Sequence, residues 1–236
     1  MKLKGLLGCT LIAATMITMA TSCKKKDDPT CHLTTVTDVA TGTPTVINMT
    51  YNNDGKLSTI VSTGGSVYSK IFTYSGNTIV VTDKNSSGTI TGSEEVSLNN
   101  SGLAATIIQK NAGGTITGTI TLQYDGNGNL MKYINGSSVT TTTFSSGDLV
   151  SFNDGSTTGT FDYYTDKSFQ DGDLLKLQQM IQYGALYIVN KHLVKSRTSG
   201  SSVSNYSYEF TDGRISKLTQ TSGSSVETLT YQYQCN

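Results

Sequence analysis

The segment Tyr124-Asp125-Gly126-Asn127-Gly128-Asn129-Leu130 decides the fold, because it joins the end of one apolar strand to the start of the next through a tight turn. Asn and Gly suit such turns since positive φ angles cost them little. The chain repeats the pattern with variations at 51–57, 74–79, 98–103, 144–149 and 210–215. A recurring order of strand, turn and strand predicts a series of β-hairpins.

The spacing of the turns sets the size of the repeating unit. Glycines at 55, 76, 102, 128 and 147 lie 19 to 26 residues apart, which is the length of one hairpin plus its connection. A single hairpin cannot bury its apolar face alone, so neighbouring hairpins must extend one continuous sheet.

The predicted strands alternate apolar and polar residues. Ile47, Met49 and Tyr51 share one face, and 115–124 and 229–233 show the same alternation. The opposite faces are rich in Ser, Thr and Lys. We therefore predict an all-β protein, an antiparallel meander of hairpin repeats that forms a curled sheet or barrel-like structure, apolar on one side and wet on the other.

One segment departs from this pattern. Apolar residues within 171–183 follow the i, i+3, i+7 spacing of a short helix. Asp171 or Asp173 can cap its start, and Gly184 can end it. We predict that the helix plugs or covers the open end of the curled sheet; the alternative is a lid beside a binding cleft.

The N-terminus is typical of a lipoprotein signal peptide over residues 1–22. Two lysines precede an apolar run that is too short to span a bilayer, and small residues lead to Cys23. We predict that Cys23 carries a lipid; the alternative is an ordinary secretory signal. Residues 24–30 are charged and predict a flexible tether, which leaves 31–236 as a single β domain.

The run from Ser22 through Cys23 to Asp28 resembles the start of Bacteroidota-type lipoproteins. This resemblance implies a cell-envelope protein that is lipid-anchored to the outer membrane. The choice between a periplasmic and an external face stays open.

The four cysteines divide by position. Cys9 lies in the predicted signal peptide and Cys23 is assigned to the lipid, so Cys31 and Cys235 are left over. In an oxidising compartment such a pair is predicted to form a disulfide that joins the first and last strands. The alternative is two free thiols that lie too far apart.

The composition excludes several classes of protein. The chain has 17 basic and 17 acidic residues, so it offers no basic field for nucleic acid. Trp is absent, Pro occurs twice and Gly occurs 24 times. No segment after residue 23 is long and apolar enough to cross a membrane as a helix.

The order of the hairpins carries a wider resemblance. They are similar to the hairpin repeats of Rhs/YD-type proteins. The region from Cys31 through 190–196 to the closing 231–235 resembles a lipoprotein family of unknown function with a porin-like antiparallel β fold. "Porin-like" describes shape here, because strands with wet outer faces are not expected to form a membrane pore.

The sequence offers little catalytic chemistry. The only histidines are His32 and His192, and neither occurs at the ligand spacing of a zinc site. His192 is expected to face solvent. A Ser-His-Asp arrangement stays open because its members need to meet only in space, and Tyr206, Tyr208 and Tyr231 suit either a glycan-binding face or the apolar side of the sheet.

One segment matches the spacing of a calcium loop, with oxygen ligands at Asp83, Asn85, Ser87 and Glu94. The flanking residues are typical of strands. The competing interpretation is therefore a hairpin that places Glu94 away from Asp83 and binds no metal.

The sequence thus predicts a lipid-anchored cell-envelope protein without cofactors. Its barrel-like domain is expected to be a non-enzymatic binding or structural module with a glycan or protein ligand and no nucleic acid partner. The alternative is a hydrolase or a carbohydrate-processing accessory protein with a site in the concave face of the sheet.

Overall fold

A computed structural model describes residues 31–39 and 43–235 of the 236-residue chain. They form one closed antiparallel barrel in which each strand pairs with its neighbours in sequence and the first strand pairs with the last. The predicted all-β antiparallel meander is confirmed, and it closes into a barrel. The predicted signal peptide, Cys23 and tether lie outside the described residues.

The barrel has sixteen strands and one helix between the twelfth and thirteenth strands. They are β1 Cys31–Asp38, β2 Thr45–Tyr51, β3 Leu57–Thr63, β4 Tyr68–Ser75, β5 Thr78–Asn85, β6 Ile90–Leu98, β7 Ala104–Asn111, β8 Ile116–Tyr124, β9 Leu130–Asn135, β10 Ser138–Ser145, β11 Asp148–Asn153, β12 Thr158–Ser168, α1 Leu174–Tyr183, β13 His192–Ser199, β14 Ser202–Thr211, β15 Arg214–Ser222 and β16 Ser225–Cys235.

The two ends of the barrel differ. At the end that we call the helix end, even-numbered strands finish, and the 23-residue connection 169–191 with α1 crosses between β12 and β13. Both chain termini of the barrel, Cys31 and Cys235, lie at the same end. At the opposite end, which we call the open end, the connections are short turns such as 64–67 and 200–201.

A five-residue turn recurs at both ends. The side-chain oxygen of Asp125 accepts hydrogen bonds from the amides of Asn127 and Asn129, and Gly128 has a φ of 83°. Asn52, Asn85, Asn99 and Asn111 begin turns with the same pair of hydrogen bonds. An Asx side chain thus mimics a backbone acceptor and fixes the hairpin register.

Alternate residues of each strand point into the barrel. Along β8, Ile120 and Leu122 are buried while Thr119 and Thr121 are exposed. The inward residues of all sectors and the helix form one hydrophobic cluster. The expectation of an apolar inner side and a wet outer side is confirmed, because the core lies inside the barrel and the Thr-rich faces lie outside.

The helix α1 begins after Asp173, whose Oδ1 accepts from the amides of Leu175 and Lys176. It ends at Gly184, which adopts the left-handed conformation. The predicted caps at Asp173 and Gly184 are therefore present. Within the described chain, no helix has the length and apolar character needed to cross a membrane.

The connection is held to α1 by Gln179. This buried side chain donates to the carbonyl of Leu175 and accepts from the amides of Tyr187 and Ile188. The carbonyl of Leu186 accepts from the amide of Ala104 on β7, across the barrel end. The segment therefore covers one end of the barrel, as predicted for the helix.

The predicted disulfide is confirmed between Cys31 and Cys235, 204 residues apart in the chain. The two residues face each other in the β1–β16 pairing that closes the barrel. The bridge therefore joins the first and last strands covalently at the helix end.

Candidate functional site in the barrel lumen

The lumen changes character along its length. From the helix end to the open end, the inward residues of β4 are Tyr74, Phe72 and then Lys70. On β16, the apolar inward residues are followed by the charged Glu227. Apolar side chains and α1 therefore fill one half of the lumen, and charged groups face the other half.

One group of charged side chains consists of two carboxyl groups with a lysine beside them, and we call the two carboxyl groups the acid pair. Asp83 and Glu94 lie on the paired strands β5 and β6, and Lys70 Nζ is 2.5 Å from Asp83 Oδ1. Glu94 Oε2 is buried without a hydrogen-bond partner among the described residues. Burial and the neighbouring Asp83 raise the pKa of Glu94 to about 7, although Lys70 opposes the shift.

The acid pair bears on the calcium hypothesis. Asn85 and Ser87 form the Asx turn at the open end, so the ligand-like spacing belongs to a hairpin. The expectation that Glu94 lies away from Asp83 was wrong, since the two carboxyls interact. Lys70 already supplies a positive charge there, and no cluster of three or more metal-binding side chains occurs in the part of the chain that the structure describes.

A second group of polar side chains surrounds a cavity of about 230 Å3, which we call the polar cavity. Arg197 on β13 and Glu227 on β16 line it, with Ser204 and Gln220 on the strands between them. Leu175 of α1 is part of its floor, together with Leu174 and Gln178. The helix therefore covers the barrel end and also forms one wall of a site.

A second cavity of about 300 Å3, which we call the aromatic cavity, shares Phe161, Leu175 and Arg197 with the first. Its remaining wall carries aromatic, aliphatic and hydroxyl side chains, including Tyr133, Thr142, Phe152 and Tyr187, and the carboxylate of Asp154. The Arg197 guanidinium lies 5.3 Å from the centre of the Phe152 ring, within the range of a cation–π contact. A compartment with largely apolar walls, which also include Asp154, therefore adjoins a more polar one.

The cavity walls depend on residues that the sequence analysis did not single out. Arg197, Gln220 and Glu227 carry no local motif. A usable signal was the change along a strand from apolar inward residues to a charged one, as in Phe72 followed by Lys70. The same change recurs in β16 between Leu229 and Glu227.

His192 does not face solvent, contrary to the expectation. Its Nδ1 lies 2.7 Å from Asp148 Oδ2, and the other carboxyl oxygen accepts from the amides of Lys191 and His192. Among the described residues, no serine hydroxyl forms a hydrogen bond with this pair, and His192 lines neither lumen cavity. The pair fastens the connection 169–191 to β11.

His32 lies at the helix end, where its ring stacks on Tyr51 with centroids 4.5 Å apart. Among the described residues, no Asp, Glu, Lys or Arg lines the cleft of about 500 Å3 beside it. It adjoins Cys31, where the chain continues into the segment outside the described residues. We assign no ligand to it.

The three tyrosines considered for a glycan face all point into the barrel. Tyr206 and Tyr231 are buried, and Tyr208 donates to the carbonyl of Val194 and contacts Asp173. Burial raises the pKa of Asp173 to about 6 even though four hydrogen bonds favour its charged form. These tyrosines therefore serve the inner side of the sheet, and Tyr206 also lines the polar cavity.

Comparisons with known proteins give the fold. A porin-like protein from Bacteroides uniformis ATCC 8492 is similar over 86% of this chain and 96% of its own, with 15% identity and a TM-score of 0.63. A porin-like protein from Bacteroides vulgatus ATCC 8482 is similar over 88% and 99%, with 15% identity and a TM-score of 0.58. No family model and no curated protein matches the sequence. The expectation of a porin-like fold is confirmed.

Proposed function

We propose that this chain is a lipid-anchored cell-envelope protein of the outer membrane whose barrel is a non-enzymatic binding module. The observation that carries the proposal is the pair of adjoining lumen cavities, floored by α1 and lined by charged and aromatic side chains. Ligand sites are typically concave and largely apolar, with a few polar groups that orient the ligand. The lumen has this composition.

The position of the N-terminus supports an orientation. Cys23 precedes Cys31 by eight residues, which reach at most about 26–29 Å when extended, and Cys31 lies at the helix end. A lipid on Cys23 would therefore keep the helix end near the membrane. The cavities would then open away from the membrane surface, toward soluble ligands.

The outer surface supports an anchored domain in preference to a pore. Outward residues such as Thr119, Thr121 and Thr143 are exposed and polar, whereas a transmembrane barrel carries an apolar band on its outside. The interior is also filled by core side chains and α1 at the helix end. We infer that the porin-like shape serves binding.

The anchoring is tested by labelling cells with an alkyne-tagged fatty acid and isolating the protein. We expect label on the natural chain and none on Cys23→Ser, with Cys9→Ser as the matched control that keeps the label. Equal labelling of the natural and Cys23→Ser chains would contradict the anchor. Protease treatment of intact cells then separates an external from a periplasmic domain.

The binding role is tested separately, by calorimetry of the purified full chain with neutral, anionic, cationic and zwitterionic small molecules. We expect saturable binding of one class at a single site, weakened by substitution of cavity residues. If no class binds, the domain is a structural module and the binding proposal fails.

A further inference from the structure

We propose that the lumen binds a zwitterion of the size of an amino acid or short peptide, with its carboxylate at Arg197, its ammonium group at Glu227, and an apolar side chain in the aromatic cavity. This inference rests on the proposed binding function and names its ligand class. It follows from opposite charges that line one cavity without pairing with each other.

The positive wall is Arg197. It faces inward on β13, between Phe161 of β12 and Ser204 of β14. Among the residues that the structure describes, its guanidinium forms a cation–π contact with Phe152 and no ion pair. A guanidinium offers a planar fork of donors that fits a carboxylate in a bidentate manner. The fork is therefore available to a ligand carboxylate.

The negative wall is Glu227 with Asp38 beside it. Glu227 lines the polar cavity, and Asp38 lies on the adjoining strand β1, opposite Leu229 of β16. Asp38 Oδ1 is buried and accepts no hydrogen bond from the described residues. Burial and the charge of Asp38 raise the pKa of Glu227. Two neighbouring carboxyl groups that form no ion pair within the described chain favour the binding of a positively charged group.

Neutral groups lie between the two walls. Gln220 faces Glu227 directly across the β15–β16 pairing, and Ser204 faces Arg197 across β13–β14. In the described chain, neither the side chain of Gln220 nor that of Glu227 forms a hydrogen bond with a protein group. A polar backbone such as a peptide unit can therefore find both donors and acceptors there.

The adjoining aromatic cavity selects the rest of the ligand. It meets the polar cavity at Phe161, Leu175 and Arg197, so a group attached to a bound carboxylate can enter it. Its volume of about 300 Å3 is at the small end of ligand pockets. An aromatic or branched aliphatic side chain fits this space, and a long acyl chain does not.

Ligands of one charge fit less well. A simple anion would be attracted by Arg197 but repelled by Glu227 and Asp38. A simple cation would be attracted by these two acids but repelled by Arg197. Two charges of opposite sign in one small cavity discriminate against both, because each mismatched ligand leaves one wall unpaired. The zwitterion satisfies both walls.

The test is calorimetry of the full chain, purified in mild detergent, with the dipeptide leucyl-phenylalanine and with free phenylalanine. We expect at least one to bind, and expect the N-acetyl and C-amide derivatives of that probe to bind about ten- to a hundredfold more weakly, since each lacks one charged contact. Arg197→Gln should abolish the preference for the free carboxylate. Glu227→Gln should abolish the preference for the free ammonium group.

Matched controls are Lys195→Gln and Glu209→Gln, whose side chains are exposed; both should keep the natural affinities. Thermal unfolding of each variant verifies that the barrel is intact. Binding of only neutral, anionic or cationic probes would overturn this inference and leave the binding function standing. Binding of no probe at all would overturn both.

Discussion

The ring of Phe152 covers Gly159 so closely that a Cβ atom at residue 159 would lie 2.0 Å from Phe152 Cε1. The two residues face each other across the β11–β12 pairing. The ring also forms part of the aromatic cavity and stacks on Arg197. The absence of a side chain at Gly159 therefore gives the ring its place in the cavity wall.

We expect Gly159→Ala to push the Phe152 ring into the aromatic cavity. The overlap should lower the free energy of unfolding by about 1–3 kcal/mol, as is typical of overpacked sites. The substitution should also lower the affinity for any ligand that occupies the aromatic cavity. Urea unfolding and calorimetry measure the two effects.

The control is Gly126→Ala, because residue 126 is exposed and a Cβ there meets no atom within 4 Å. The double variant Gly159→Ala with Phe152→Leu should recover part of the lost stability. If Gly159→Ala and Gly126→Ala unfold at the same urea concentration, the position of the Phe152 ring does not depend on a glycine at residue 159.

The disulfide provides a second prediction. Replacing Cys31 and Cys235 by serine should lower the free energy of unfolding by about 2–5 kcal/mol, because the bridge restricts the unfolded chain. The barrel should still close, since β1 and β16 remain paired as far as Asp38 and Leu229. Adding reductant should lower the free energy of unfolding of the natural chain by the same amount as the double substitution does. Reductant should cause no further loss in the double variant. A reductant effect on the double variant would contradict the assignment.

The sequence revealed the parts of this fold that depend on local chemistry. Hairpin turns were predictable because Asp125 and Asn52 form Asx turns with a glycine three residues on. The caps of α1 were predictable for the same reason, since Asp173 and Gly184 act on their immediate neighbours. The disulfide followed from position alone, once two cysteines were assigned elsewhere.

The lumen site depends on distant contacts and on register. Arg197 and Glu227 belong to strands that are not paired with each other, and a bulge at Lys195, between the pairs Asp162–Ser196 and Tyr163–Val194, changes which β13 residues face inward. An irregularity of one residue moves side chains to the opposite face, so alternation alone cannot name the residues of the lumen. His192 was misjudged because its partner, Asp148, lies 44 residues away.

The Asp148–His192 contact gives a third prediction. Asp148→Ala should lower the free energy of unfolding by roughly 1–3 kcal/mol, because the amide of His192 loses its acceptor and the amide of Lys191 keeps only the carbonyl of Gly147. Asp148→Asn should have a smaller effect since it keeps one acceptor oxygen. Hydrogen exchange should accelerate first in residues 184–192.

The comparison for that experiment is Asp54→Ala, at an exposed turn residue of the helix end. It should leave both stability and exchange unchanged. Ligand affinity should be preserved in Asp148→Asn, because neither lumen cavity includes residue 148. A variant that keeps its stability but loses binding would instead place Asp148 in the site.

The acid pair gives the last prediction, a dependence of stability on pH. Since burial and Asp83 raise the pKa of Glu94 to about 7 from an ordinary value of 4.5, the folded state holds a proton that the unfolded state releases. The contribution of Glu94 is therefore most favourable below about pH 4.5 and is lost as the pH rises through about 7. Urea unfolding between pH 5 and pH 8 should show a smaller loss in Glu94→Gln than in the natural chain, because the variant keeps the contribution of other buried acids such as Asp173, whose pKa burial raises to about 6. The matched variant is Glu95→Gln, on the outer face beside Lys110, which should keep the slope of the natural chain. An equal slope in the natural chain and Glu94→Gln would mean that Glu94 is not the group that titrates.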